Sequence, residues 1–129
     1  MADVPTVLVL DDDPGVRSTM EQLLRVYGYG AVTAATLDEA RALLQETSIE
    51  ALILDVGLQG DANGLDLLHT IRSRSEFDKT PVLILTGATL TRAEEVLITR
   101  HRGFLFYKPE GFDTLVRFLD ELTGRDRPH

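Results

Sequence analysis

Apolar residues along the chain gather into five short runs. They are Thr6-Val7-Leu8-Val9-Leu10, Ala31-Val32-Thr33-Ala34, Ala51-Leu52-Ile53-Leu54, Val82-Leu83-Ile84-Leu85 and Phe104-Leu105-Phe106-Tyr107. Most are apolar on successive positions rather than alternating, the mark of strands buried on both faces of a parallel sheet. A helical pattern follows each run. The first predicted helix takes Asp13 as its N-cap and Pro14 in its first turn, with Val16, Met20, Leu23 and Leu24 on its core face. The second opens on Thr36-Leu37-Asp38-Glu39, a capping-box pattern, and buries Ala40, Leu43 and Leu44. The third starts near Asn63-Gly64 and carries Leu65, Leu68 and Ile71. The fourth opens on Thr91-Arg92-Ala93-Glu94, a second box, and carries Val96 and Leu97. The fifth takes Asp113 as its cap, sets Leu115, Phe118, Leu119 and Leu122 on one face and stops at Gly124. Strands alternating with helices in this way predict a (βα)5 α/β domain: a doubly wound parallel five-stranded sheet, helices on both sides, right-handed crossovers.

Composition narrows the picture. With 129 residues the chain suits one domain with its own core, expected over residues 5–124 with a polar tail at 125–129. Hydrophobic residues at 43% and charged residues at 26% exclude disordered, collagen-like and coiled-coil chains. No run reaches the ~18 apolar residues of a membrane span. Met1-Ala2-Asp3-Val4-Pro5 lacks the basic and apolar regions of a secretory signal. Cysteine is absent, which excludes disulfides and thiolate zinc sites and makes the cytoplasm the expected compartment. Lys plus Arg total 13 against 21 Asp plus Glu, a net charge of −8. That field repels polyanions, so direct nucleic-acid binding is not expected. Arg100-His101-Arg102 is the local exception, read as cations complementing a helix C-terminus. His69, His101 and His129 show no ligand spacing and read as surface residues.

Chemistry is carried by the polar residues that end the strands. In an open α/β sheet, ligands bind beyond the carboxyl ends of the strands. The first strand runs into Asp11-Asp12-Asp13, the third into Asp55, the fourth into Thr86-Gly87 and the fifth into Lys108-Pro109. Singly, each has an ordinary reading: a cap, a turn acid, a surface amine. Their joint placement at four strand ends points to a site. If the first and third strands are neighbours, Asp11, Asp12 and Asp55 converge, with Thr86 and Lys108 closing the other side. Carboxylates ~4 Å apart repel by ~4 kcal/mol at an effective dielectric of 20, so the pocket requires counter-charge. Lys108 supplies one, and an all-oxygen ligand set favours Mg²⁺ or Mn²⁺ for the rest.

With those motifs in view, the chain resembles a response-regulator receiver domain of two-component signalling. The likeness rests on Val9-Leu10-Asp11-Asp12-Asp13-Pro14, Leu52-Ile53-Leu54-Asp55, Leu83-Ile84-Leu85-Thr86-Gly87-Ala88 and Tyr107-Lys108-Pro109, in that order and spacing. It implies a flavodoxin-like three-layer fold of strand order 2-1-3-4-5. It implies that Asp55 is the phosphoacceptor, taking phosphate from a phosphohistidine of a sensor kinase or phosphotransfer protein. Asp12 would ligate Mg²⁺ directly, Asp11 through water, and the carbonyl of Gly57 would add a ligand. The Thr86 hydroxyl and the Lys108 ammonium would bind the phosphoryl oxygens, and the bond before Pro109 would be cis. Output would pass through the surface of the fourth helix, fifth strand and fifth helix, with homodimerisation left open. Small Gly57 and Ala88 would leave water's approach to the acyl phosphate open.

The chain also departs from the family pattern. Leu105 stands where the family usually carries Tyr or Phe, three residues before the strand-five lysine. Gln59 replaces a common proline, and the loop after Asp55 looks one residue longer than usual. His101-Arg102 occupy sites that often read Gly-Ala, and Glu110-Gly111 follow Pro109. Other classes fit less well. A magnesium phosphohydrolase needs a second acid at position 57, which is Gly, and a flavin carrier needs a Ser/Thr/Gly-rich loop after strand one. A degenerate receiver serving as a phosphorylation-independent scaffold is the alternative that Leu105 keeps open.

Overall fold

The computed structural model describes residues 4–56, 64–86, 90–107 and 111–124. The elements alternate as the pattern of apolar runs predicts: β1 (Thr6–Leu10), α1 (Pro14–Val26), β2 (Gly30–Ala34), α2 (Leu37–Glu46), β3 (Ala51–Asp55), α3 (Gly64–Arg72), β4 (Val82–Thr86), α4 (Arg92–Arg100), β5 (Phe104–Tyr107) and α5 (Phe112–Thr123). A 3₁₀ turn, Ser75–Phe77, lies between α3 and β4. All strand pairings are parallel and the order is β2-β1-β3-β4-β5. β1 and β3 are therefore neighbours, the condition on which convergence of the acids depends.

Successive residues of a strand face opposite sides of the sheet, and so build two cores. Leu8, Leu10, Leu52, Leu54, Val82 and Ile84 pack with Ala40 and Leu44 of α2, Leu65, Leu68 and Ile71 of α3, and Ile98 of α4. Val7, Val9, Ile53, Leu83 and Phe106 pack with Met20 and Leu24 of α1 and Leu115, Val116 and Leu119 of α5. The central strand β3 is buried along its whole length. Phe104 and Phe106 share the α5 side, each ring lying against Phe118. Among the described residues, no helix is long and apolar enough to cross a membrane.

Helix starts follow local chemistry. Asp13 caps α1, its Oδ1 accepting from Gly15 N at 2.8 Å and Val16 N at 3.3 Å. Thr36 caps α2 through Glu39 N, while the Glu39 carboxylate reaches Ala35 N at 2.7 Å. Both halves of the Thr91–Glu94 box are made. Two expectations need correction. Asp113 is not the cap of α5: Gly111, in extended conformation, holds that position, and Asp113 falls in the first turn. There its negative charge complements the helix dipole and its carboxylate accepts from Tyr27 Oη. Val96 is not a core residue of α4. It is 47% exposed and Ile98 is buried instead. At 100° per residue the two lie on opposite sides of the helix, and the phase is set by the Thr91 cap.

A second tyrosine ties α5 down from inside. Tyr29 is buried, and its hydroxyl donates to Asp120 Oδ1 at 2.5 Å. Removing that donor from a buried carboxylate is expected to destabilise the fold by about 2 kcal/mol. Thermal melts of Tyr29→Phe, Asp120→Ala and the double variant check this. The single effects should not add, and simple additivity would show that the two groups act independently.

Candidate functional site

The β1–α1 turn assigns three consecutive acids to three different positions. Beyond Leu10 the chain runs on one residue further, because Asp11 N still donates to Ala34 O at 3.1 Å. Asp11 is 3% exposed, and its Oδ1 accepts from Asp13 N at 2.9 Å, tightening the turn. Asp12 is half-buried and Asp13, the cap, is exposed. At the end of β3, Asp55 is 6% exposed and stands in register with Leu85 of β4. Thr86, the last residue of β4, is 3% exposed and pairs across to Tyr107 of β5.

These placements bring Asp11, Asp12 and Asp55 together, one carboxylate oxygen from each lying within 4.8 Å of the others. All the ligand atoms are hard oxygens, the set that suits Mg²⁺ or Mn²⁺. Charges about 5 Å apart repel by about 3 kcal/mol at an effective dielectric of 20, a load that a divalent cation removes. Buried Thr86 sets a hydroxyl at the end of the neighbouring strand. Lys108, Gly57, Ala88 and the Tyr107–Lys108–Pro109 segment beyond Tyr107 lie outside the described residues, as do Gln59 and Glu110.

Two supports of the site are not legible in its motifs. Arg17 of α1 donates from Nη1 to the carbonyl of Asp11 at 2.9 Å, so a guanidinium pins the acidic turn. Gly64 opens α3 directly against β3, and a Cβ there would stand 2.2 Å from the carbonyl oxygen of Asp55. The glycine lets α3 start where β3 ends. A helix that opens on the glycine of an asparagine-glycine pair is an ordinary sequence pattern. The close approach that requires glycine is tertiary. On β5, Leu105 is half-buried on the α3–α4 side, and Tyr107 is 48% exposed.

The histidines correct another expectation. His69 and His101 are near the surface, as read, but they meet, Nδ1 of His69 lying 3.3 Å from Nε2 of His101. Spacing along the chain gives no signal for this pair, since it depends on how α3 and the end of α4 lie side by side.

Comparison with known proteins agrees with this architecture. The profile of the response regulator receiver domain matches residues 7–120. The chain is 40% identical over 120 residues to the probable transcriptional regulatory protein TcrX of Mycobacterium tuberculosis, covering 93% of this chain and 50% of TcrX. It is 37% identical over 92 residues to the transcriptional regulatory protein AruR of Pseudomonas aeruginosa, covering 67% of this chain and 36% of AruR. It thus spans half or less of the length of these two relatives. Among solved structures, the chemotaxis protein CheY4 of Vibrio cholerae superposes with a TM-score of 0.83 at 26% identity, over 93% of this chain and 99% of that one. A response regulator receiver protein from Pseudomonas putida superposes with a TM-score of 0.81 at 31% identity, over 98% of this chain and 100% of that one. A profile match over nearly the whole chain, on a sheet of order β2-β1-β3-β4-β5, makes this chain a member of the response regulator receiver family, a family of signalling modules.

Proposed function

We propose that this chain accepts a phosphoryl group on Asp55 from a phosphohistidine of a sensor kinase or phosphotransfer protein. The observation that carries the reading is the convergence of Asp11, Asp12 and Asp55, with buried Thr86 at the end of the next strand. The family binds a divalent cation at this acidic pocket, and the donor set here fits one. Asp12, Asp55, the carbonyl of Gly57 and, through water, Asp11 would hold it. When bound, Mg²⁺ or Mn²⁺ neutralises charge on the carboxylates and on the transferring phosphoryl oxygens.

A carboxylate oxygen of Asp55 attacks phosphorus in line with the leaving imidazole. The O–P bond forms, the P–N bond breaks, and the departing nitrogen keeps the electron pair. The Thr86 hydroxyl donates to one phosphoryl oxygen and the Lys108 ammonium pairs with another, where charge builds in the transition state. Arg17 and Gly64 act as positioning residues, holding the acidic turn and the acceptor strand in place. Hydrolysis of the acyl phosphate resets the chain, with Gly57 and Ala88 leaving room for water.

Output follows from the modified state. The phosphoryl group adds about −1.5 to −2 charges. Thr86 is drawn to it, and the surface of α4, β5 and α5 repacks for a downstream partner in the cytoplasm. Leu105 at the usual aromatic position favours a second reading, a scaffold whose output does not depend on phosphate.

Incubation with a small-molecule phosphodonor and Mg²⁺, followed by intact mass measurement, tests the reading. One added phosphoryl group is expected, lost in Asp55→Asn and on metal chelation. An unmodified mass, or modification that survives Asp55→Asn, would overturn it, and the former would favour the scaffold.

A further inference from the structure

The edge-on contact between His69 and His101, ring centroids 5.2 Å apart, forms part of the wall of a groove on the α3 flank of α4. The groove encloses about 590 Å³, with Arg92 and Arg100 at its ends and Ala93, Val96 and Leu97 as its floor. Arg92, Val96 and Arg100 fall at successive i,i+4 positions and so form one stripe. The same three residues, with Glu95 and Thr99, line an adjoining hollow. Exposed Val96 therefore offers an apolar contact between two guanidinium groups. Among the described residues, salt bridges engage Arg25, Arg41, Arg74 and Arg102, and neither Arg92 nor Arg100. On a chain of net charge −8 this is a local cationic recess.

The field there is positive. Burial, then His69, Arg100, Arg72 and Arg102, hold the His101 imidazole below its ordinary pKa. From α3 the facing groups are His69 and Arg72, from α4 Arg100, and from the following turn Arg102, whose guanidinium pairs with Asp78 at 3.0 Å. The acids carried on the two helices are Asp66 on α3 and Glu94 and Glu95 on α4. Arg72 also donates from Nε to the carbonyl of His101 at 2.8 Å, which fixes the end of α4 against α3. The groove is thus a fixed surface.

We infer that this groove binds an acidic peptide segment of a protein partner. An apolar side chain of the segment rests on Ala93, Val96 and Leu97, and flanking carboxylates pair with Arg92, Arg100 and the histidines. The apolar floor argues against a free inorganic anion, and the net charge of the chain argues against a polyanion. A carboxylate beside the His101 imidazole opposes the positive field that holds its pKa down, so binding takes up a proton there and tightens as pH falls through and below the ordinary imidazole range, about 6.5.

The test is calorimetric titration with a short synthetic peptide carrying one leucine flanked by glutamates, against a control with glutamine for glutamate. The glutamate peptide is expected to bind. Arg92→Gln with Arg100→Gln should weaken it about tenfold, at a few-fold per exposed pair. His69→Gln with His101→Gln should abolish the gain in affinity at low pH while the thermal midpoint holds. Absence of binding, equal binding of the control, or indifference to the arginine substitutions would overturn the inference. So would equal displacement by inorganic phosphate, which assigns the groove to a free anion. Self-association of the chain that Arg100→Glu dissolves would also overturn it, because the occupant is then a second copy.

Discussion

Gly64→Ala should cost the fold about 3 kcal/mol, against the usual sign for such a change in a helix. Alanine ordinarily stabilises a helical position relative to glycine by about 1 kcal/mol. Here the new Cβ would stand 2.2 Å from the carbonyl oxygen of Asp55 and 3.0 Å from its carbonyl carbon. Those atoms belong to the most buried strand, so they cannot swing aside as a side-chain tip could. Either α3 moves off the sheet, uncovering Leu65 and Leu68, or the end of β3 shifts and takes the Asp55 carboxylate with it. Both outcomes lower the midpoint of thermal unfolding, by roughly 10 °C for a chain of this size. Both should also slow the phosphorylation proposed at Asp55. Gly111→Ala is the matched control, because a Cβ there meets nothing within 4 Å. Its midpoint should fall much less, by no more than the cost of an alanine in place of a glycine N-cap, about 1 kcal/mol. Equal small effects at both positions would mean that α3 does not bear on β3.

The contrast between those glycines shows where sequence reading stops. Apolar runs identify β1, β3 and β4 because a strand buried on both faces has no polar position to spare. Their polar terminators identify Asp11, Asp55 and Thr86 because the sheet delivers all strand ends to one edge. Local caps at Asp13, Thr36 and Thr91 are equally visible, each being settled within four residues. What stays hidden depends on distance between elements. Gly64 looks like any helix-opening glycine until β3 is laid beside it. Arg17 looks like a solvent-facing residue until the turn it grips is in place. Val96 reads as core because it is apolar, yet the phase of α4 turns it outward and turns Ile98 in. His69 and His101 belong to different helical units, and only the packing of α3 beside α4 makes them a pair.

Asp12→Asn is expected to reverse the order of stability between metal-free and metal-loaded protein. Without a divalent cation, Asp12 adds a third negative charge to a site whose oxygens lie within 4.8 Å of one another. Neutralising it removes repulsion. Because Asp12 is only half-buried, water screens the interaction, and the gain is about 1 kcal/mol rather than the 3 that a fully buried pair would give. With Mg²⁺ at a hundred times its dissociation constant, the unsubstituted chain gains about 2.7 kcal/mol by mass action. If Asp12 ligates the metal directly, as proposed, the asparagine variant forgoes most of that gain. Thermal melts with and without Mg²⁺ should therefore cross: the variant above the unsubstituted chain in chelator, below it in metal. Asp13→Asn separates this from a general effect of removing acid, since asparagine caps a helix as well as aspartate does. It should leave both midpoints and the metal response nearly unchanged. If the two variants behave alike, the acids after β1 act only as a turn, and no cation bridges β1 to β3. If they differ as described, the repulsion that folding builds into this pocket is the source of its affinity for a hard cation.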